Sequence, residues 1–312
     1  MLPLMAAGHG SSSRLSANAS ARSLLDAGVS VVTNSQQSGA SATAIRVHYD
    51  VSNEFYRLWL DETMTYSCAM WDNSITLEEA QMRKLDFHIE QARAEGVGRV
   101  LDIGCGWGAL MRRLSVRGAK EVVGLTLSSA QADYIRGLGI SGVSVAVEDW
   151  RDHSPECPYD SLLSIGAMEH FVRPELSAPE RVDVYRDFFG NCKSWLRSGQ
   201  WLSLQTIAYG AGRFTHGAIS SIFPESDLPR LNEILSALDG QFELVSLRND
   251  RSDYSRTCRS WLERLRSNRA IAVGLVGEQT VGHYEAFLAA SARGFDAGVF
   301  TLLRMQLRRM GT

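Results

Sequence analysis

The run Val100-Leu-Asp-Ile-Gly-Cys-Gly-Trp-Gly108 carries the clearest chemical meaning in this sequence. An apolar strand leads straight into a turn with glycine at every second position, and helix-forming residues follow. Glycines there let the backbone pass close beneath a ligand, and a helix start offers unpaired N–H groups to the ligand's polar end. A nucleotide-like ligand is implied. The spacing Gly104-x-Gly106-x-Gly108 is not the GxGxxG dinucleotide fingerprint, and no lysine follows as a phosphate-gripping P-loop requires. The five cysteines, Cys68, Cys105, Cys157, Cys192 and Cys258, show neither a CxxC pair nor the His/Cys spacing of a zinc site. Neither a disulfide framework nor a metal held by protein side chains is expected.

The elements that must position this turn can be read from hydrophobic periodicity. Thr76 with Glu79 three residues on forms a capping box that opens a helix running to about Ala94. Strands are expected at Arg99 to Ile103, Glu121 to Leu125, Val143 to Val147, Ser161 to Ile165 and Trp201 to Thr206, with Phe242 to Leu247 and Val299 to Leu307 as a closing pair. Helices are expected at Ala109 to Arg117, Ser129 to Leu138 and Glu180 to Leu196. Such alternation predicts an α/β fold, a seven-stranded, mostly parallel sheet with helices on both faces.

Residues 1–43, rich in Ser, Ala and Gly, read as a flexible tail; the alternative is an amphipathic arm packing on a second copy, which would make a homo-oligomer. Residues 44–312 read as the catalytic domain, with short helices in a helical cap at 44–95. Insertions at 208–238 and 253–293 lie where such folds grow a substrate cover. Hydrophobic residues make up 45% of the 312, charged residues 21%, and the net charge of -3 supplies no basic field for nucleic acid. No stretch approaches the roughly 20 apolar residues of a membrane span, and the opening ten residues lack a leader's basic start, so the expectation is cytoplasmic with no integral membrane association.

Five blocks in order give the sequence a resemblance. His48-Tyr-Asp-Val-Ser-Asn-Glu-Phe-Tyr56, Met64-Thr-Tyr-Ser-Cys-Ala-Met70, Leu101 to Gly108, Val123-Gly-Leu-Thr-Leu-Ser-Ser-Ala-Gln131 and Ser164-Ile-Gly-Ala-Met-Glu-His-Phe171 resemble the cyclopropane-fatty-acyl-phospholipid synthases, a family of S-adenosylmethionine (SAM)-dependent methyltransferases with the class I Rossmann-like fold. Ile222-Phe-Pro-Glu-Ser-Asp-Leu-Pro229 is similar to that family too. The resemblance implies that Tyr66 and Ser67 contact the methionine part of SAM, that Gly104 and Gly106 pass beneath it, and that Asp102 and Leu127 belong to the same site. Thr126 and Gln131 would serve the ribose, and Trp150 would flank the adenine or simply fill the core. Most class I methyltransferases place a carboxylate after the second strand, but Leu125-Thr-Leu has none, so neutral hydrogen bonds must replace it.

A methyl on a positive sulfur needs an aligned nucleophile and exclusion of water. In the family that nucleophile is an alkene, which becomes a carbocation and then yields a proton to a base. Glu169, just past the strand at Ser161 to Ile165, is the candidate base; a helix-start carboxylate near Arg173 is the plainer reading. The resemblance implies that Glu169, Cys68, Ile207 and Tyr254 hold a bicarbonate ion, but Gln205 stands where the family has histidine, and Ser291 stands near where a cysteine is frequent. Gln brings no titratable proton. On that ground the expected reaction is methylation of an isoprenoid alkene such as geranyl diphosphate, with Arg213, His216, Arg251 and Arg256 as a clamp for the head group and Mg2+ bridging the diphosphate. The alternatives are a cyclopropane fatty-acyl synthase and a small-molecule N-methyltransferase.

Overall fold

The computed structural model describes residues 39–41, 51–71, 76–212 and 225–311. Residues 1–38 and 42–43 of the expected tail lie outside the described residues, as do 44–50 and 72–75 of the cap and 213–224 of the first insertion.

A seven-stranded sheet organises the rest. Its strands are β1 (Arg99–Ile103), β2 (Glu121–Thr126), β3 (Val143–Val147), β4 (Tyr159–Ile165), β5 (Leu196–Tyr209), β6 (Phe242–Asn249) and β7 (Phe300–Arg309), in spatial order β3-β2-β1-β4-β5-β7-β6. The first five run parallel, and β7 is inserted antiparallel between β5 and β6. β1 lies inside the sheet because Val100 to Ile103 are buried on both faces, as an unbroken apolar run permits. Leu101 and Ile103 join one core with Leu162, Phe188 and Leu202. Val100 faces the opposite core with Leu85, Leu110 and Val122.

Helices α2 (Leu77–Gln91), α3 (Ala109–Val116), α4 (Ser129–Gly137), α5 (Ala178–Trp195) and α6 (Leu231–Leu238) accompany the sheet, preceded by the short α1 (Asn53–Arg57). α2 begins at the expected capping box: the Thr76 hydroxyl accepts from the Glu79 N–H, and the Glu79 carboxylate accepts from the Thr76 N–H. The insertion expected at 253–293 is a three-helix unit, α7 (Arg251–Ser267), α8 (Arg269–Val276) and α9 (Glu278–Asp296). Together with α1 it builds a third, aromatic core from Phe55, Tyr56, Trp59, Trp261 and Tyr284. β5 is longer than its apolar pattern suggests, because its ends are extended by pairing, Leu196 with Tyr159 and Tyr209 with Phe300.

Candidate functional site

The glycine turn sits at the carboxyl end of β1, where Gly104, Gly106 and Gly108 have φ of 81°, 54° and 79°. Gly104 and Gly106 need to be glycine for different reasons. A Cβ on Gly104 would lie 2.6 Å from the Cβ of Ala167, so this residue lets the turns after β1 and β4 touch. A Cβ on Gly106 would meet nothing within 4 Å; it would enter open space.

That space is a cavity of about 1090 Å³, counting its mouth, and Tyr66, Ser67, Asp102, Gly104, Gly106, Thr126, Leu127, Gln131 and Trp150 all line it. On the ribose side the Thr126 hydroxyl donates to Gln131 Oε1 at 2.7 Å and accepts from Ser128 N–H at 3.1 Å, so what Gln131 can offer a ligand is its amide N–H groups. Trp150 does two jobs at once. It packs in the core at 5.2 Å from Phe171 and 5.4 Å from Phe188, and it also edges the cavity, with the Arg151 guanidinium over its ring at 4.4 Å. Glu148 and Asp149 also line the cavity just past β3. Sequence reading passed over them, although carboxylates at the end of a parallel strand are a usable signal.

Lys84 was also missed. It projects from α2 into the cavity wall, 1% exposed, and donates to Ser67 Oγ at 2.8 Å. Burial pushes its ammonium down to about 7, and burial pushes the Asp102 carboxyl, which lines the same cavity, up to about 7.

Glu169 lies in a single 3₁₀ turn (Met168–His170) whose neighbours Ala167, His170 and Phe171 line the cavity. Oε1 accepts from the Ile207 N–H at 2.6 Å, while Oε2 is buried with no hydrogen-bond partner among the described residues. Burial, opposed by the Ile207 N–H, pushes its carboxyl up to about 7. Arg173 is not its partner, since that guanidinium pairs with Glu225 at 3.1 Å and with Gly39 O at 2.9 Å, although Glu169 does sit in the first turn of this short helix.

Gln205 is held by two neighbours. Its Oε1 accepts from Arg304 Nε at 2.9 Å and lies 3.2 Å from His88 Nε2. Arg304 is buried, and it reaches Ala69 O at 3.0 Å and Cys68 O at 3.4 Å while pairing with Asp250. The Cys68 thiol, pushed up to about 12 by burial, is no nucleophile near neutral pH. Tyr254 stacks on Phe295 at 4.5 Å and packs against the aromatic core that Tyr66 and Ile207 also border.

Of the four residues expected to grip a diphosphate, the two that are described are engaged away from the cavity. Arg251 Nη1 donates to Phe295 O and Asp296 O, each at 3.0 Å, and so closes the end of α9. The Arg256 guanidinium lies over the Trp71 ring at 4.2 Å, and neither arginine lines the cavity. Arg213 and His216 lie outside the described residues. No group of three or more His, Cys, Asp or Glu able to hold a metal occurs among the described residues.

Parallel strands ending in a glycine-floored cavity, with hydrogen-bonding side chains after β2 and a buried carboxylate after β4, define a SAM-dependent methyltransferase of class I. A family model described as mycolic acid cyclopropane synthetase matches residues 36–305, and the chain belongs to that family. It is 32% identical over 276 residues to a probable fatty acid methyltransferase of Pseudomonas putida, covering 84% of this chain and 68% of that protein. The structure of cyclopropane synthase MmaA2 from Mycobacterium tuberculosis superposes with a TM-score of 0.78 at 29% identity, covering 86% of this chain and 99% of the other. Mycolic acid cyclopropane synthase CmaA1, complexed with SAH and CTAB, matches with the same TM-score at 28% identity, covering 86% and 99%. Geranyl diphosphate C-methyltransferase from Streptomyces coelicolor A3(2) matches at 17% identity with a TM-score of 0.61, covering 87% and 99%, which is likeness of fold.

Proposed function

We propose that this chain transfers the methyl group of SAM to an alkene carbon of a lipid acyl chain and closes a cyclopropane there, with Glu169 as the base. This replaces the isoprenoid expectation. Relatives at 30% identity or more include a probable fatty acid methyltransferase and cyclopropane mycolic acid synthases, whereas the geranyl diphosphate enzyme shares only the fold. Arg251 and Arg256 are engaged elsewhere, so the described residues lend Mg2+ no support.

When bound, SAM supplies an electrophilic methyl on a positively charged sulfur. The residues of this chain then have three tasks. Thr126, Gln131 and the glycine turn orient the cofactor, and the aromatic core around Tyr66 excludes water. The alkene π pair forms the new C–C bond as the C–S bond breaks, leaving a carbocation on the acyl chain. Loss of a proton from the added methyl closes the ring, its C–H electrons making the last ring bond. Glu169 receives the proton on Oε2, while Oε1 stays anchored to the Ile207 N–H. The buried, half-satisfied carboxyl of Glu169 is the observation that carries this reading. Gln205, whose oxygen is committed to Arg304 and His88, is left as a neutral wall group.

The test uses SAM carrying a trideuteriomethyl group with phospholipid vesicles of unsaturated acyl chains, and with geranyl and farnesyl diphosphate with and without chelator. A product retaining two of the three deuteriums is expected from the vesicles, and retention of all three would mean a methylated alkene instead. Because the base must be ionised, kcat/KM should rise with pH through about 7, the value to which burial brings Glu169. Glu169→Gln should lose turnover by about 100-fold or more with SAH affinity nearly kept. Chelator-sensitive transfer to a diphosphate with inert vesicles would restore the isoprenoid reading. Transfer only to an amine would favour N-methylation.

A further inference from the structure

Two buried charges of opposite sign share the wall of the cofactor cavity, and no ion pair joins them among the described residues. Lys84 is 1% exposed and Asp102 is 2% exposed. The Lys84 ammonium donates to Ser67 Oγ at 2.8 Å, the one hydrogen bond it makes among the described residues, which leaves two of its donors unused. The Asp102 carboxylate has no hydrogen-bond partner there at all, although Lys84 is near enough to act on it through space. Charges held this way are costly unless something pairs with each.

We infer that Lys84 is a cofactor-binding residue, which with Asp102 forms a receptor for the zwitterionic amino-acid end of SAM. Lys84 takes the α-carboxylate, together with the Ser67 hydroxyl that it orients. Asp102 takes the α-ammonium. The arrangement matches a ligand bearing a carboxylate and an ammonium on one carbon, because one buried group of each sign faces the same space. The other charges around Lys84 do not substitute for such a ligand. Arg304 repels it, and Asp61 is already committed to Thr63 and Thr65. The titration of Lys84 and Asp102 near 7 agrees with this: each is held away from its charged form by burial, and a counter-charge would restore it.

This inference rests on the reading of the cavity as a SAM site, and the experiment separates the two. SAH and its decarboxylated thioether analogue are titrated calorimetrically into the wild-type chain and into Lys84→Met. The wild type should prefer SAH by about 10- to 100-fold, the worth of a charge-assisted hydrogen bond. In Lys84→Met that preference should shrink to within about 3-fold, with the analogue binding as it does to wild type. Should Lys84→Met fail to fold, Lys84→Gln, which can still bond Ser67 but carries no charge, takes its place. Equal binding of both ligands to the wild type overturns the inference with no substitution needed. Equal loss of both ligands in the variant overturns it too, since that marks a structural lysine. If neither ligand binds the wild type, the cofactor reading itself fails.

Discussion

At the scale of single residues, the contrast between Gly104 and Gly106 shows which parts of a motif serve the ligand. Both are left-handed, but only at Gly106 does the missing side chain leave room that a cofactor can use. Gly106→Val should therefore lose SAH binding, with some loss of stability because a β-branched residue is strained at φ 54°, whereas Gly104→Ala should cost stability through its collision with Ala167 without filling the cavity. Circular dichroism and calorimetry on both variants decide this, and a folded Gly106→Val chain with undiminished SAH affinity would remove the ligand from this turn. The need for glycine was legible from the sequence because turn chemistry is local. Lys84 was not legible, since the one lysine of this helix falls on the inward stripe among Gln81 and His88, and polar residues there blur the apolar pattern that marks a buried face.

At the scale of elements, local signals placed β1, α3 and the capping box of α2 almost to the residue, because apolar runs and caps are written in neighbouring positions. The pairing of Gln205 with Arg304 could not be read that way. It depends on β7 lying antiparallel beside β5, with the two residues directly opposite each other. Arg251 illustrates the same limit: it looks like a loose surface cation in sequence, but its task is to close the carbonyl end of α9. Arg304 stitches β7 to Gln205, to the loop at Cys68 and Ala69, and to Asp250 before α7. Removing it leaves the acceptors at Gln205, Cys68 and Ala69 unpaired, while Asp250 keeps its pairing with Arg248, so Arg304→Met should destabilise the fold by about 1–3 kcal/mol. Urea unfolding would measure this, and a loss below about 1 kcal/mol would show that the network is dispensable.

At the scale of the molecule, the cofactor cavity draws its walls from α2, from the carboxyl ends of β1, β2 and β4, and from the loop holding Tyr66 and Ser67. A ligand there touches segments scattered through the chain, and one that binds only the folded form stabilises it by about 2.7 kcal/mol at 100 times its Kd. SAH should therefore raise the midpoint of thermal unfolding by several degrees, with tryptophan fluorescence and circular dichroism moving together. A shift seen by fluorescence alone would mean a local adjustment around Trp107 and Trp150, which line the cavity.

The place of β7 also sets an order of assembly. β6 has no neighbour in the sheet except β7, yet α7, α8 and α9 separate the two in the chain. While the protein emerges from the ribosome, β6 must wait unpaired until three helices have been made, and the exposed edge of β5 waits with it. The first five strands and the glycine turn can form beforehand, since these strands pair with one another and only the outer edge of β5 lacks its neighbour. Arg304 then arrives on the last strand and ties down the loop that follows Ser67. The cradle for the cofactor is thus drafted early in synthesis and locked at the end, so a chain stalled before β7 would hold the glycine turn without a fastened methionine pocket.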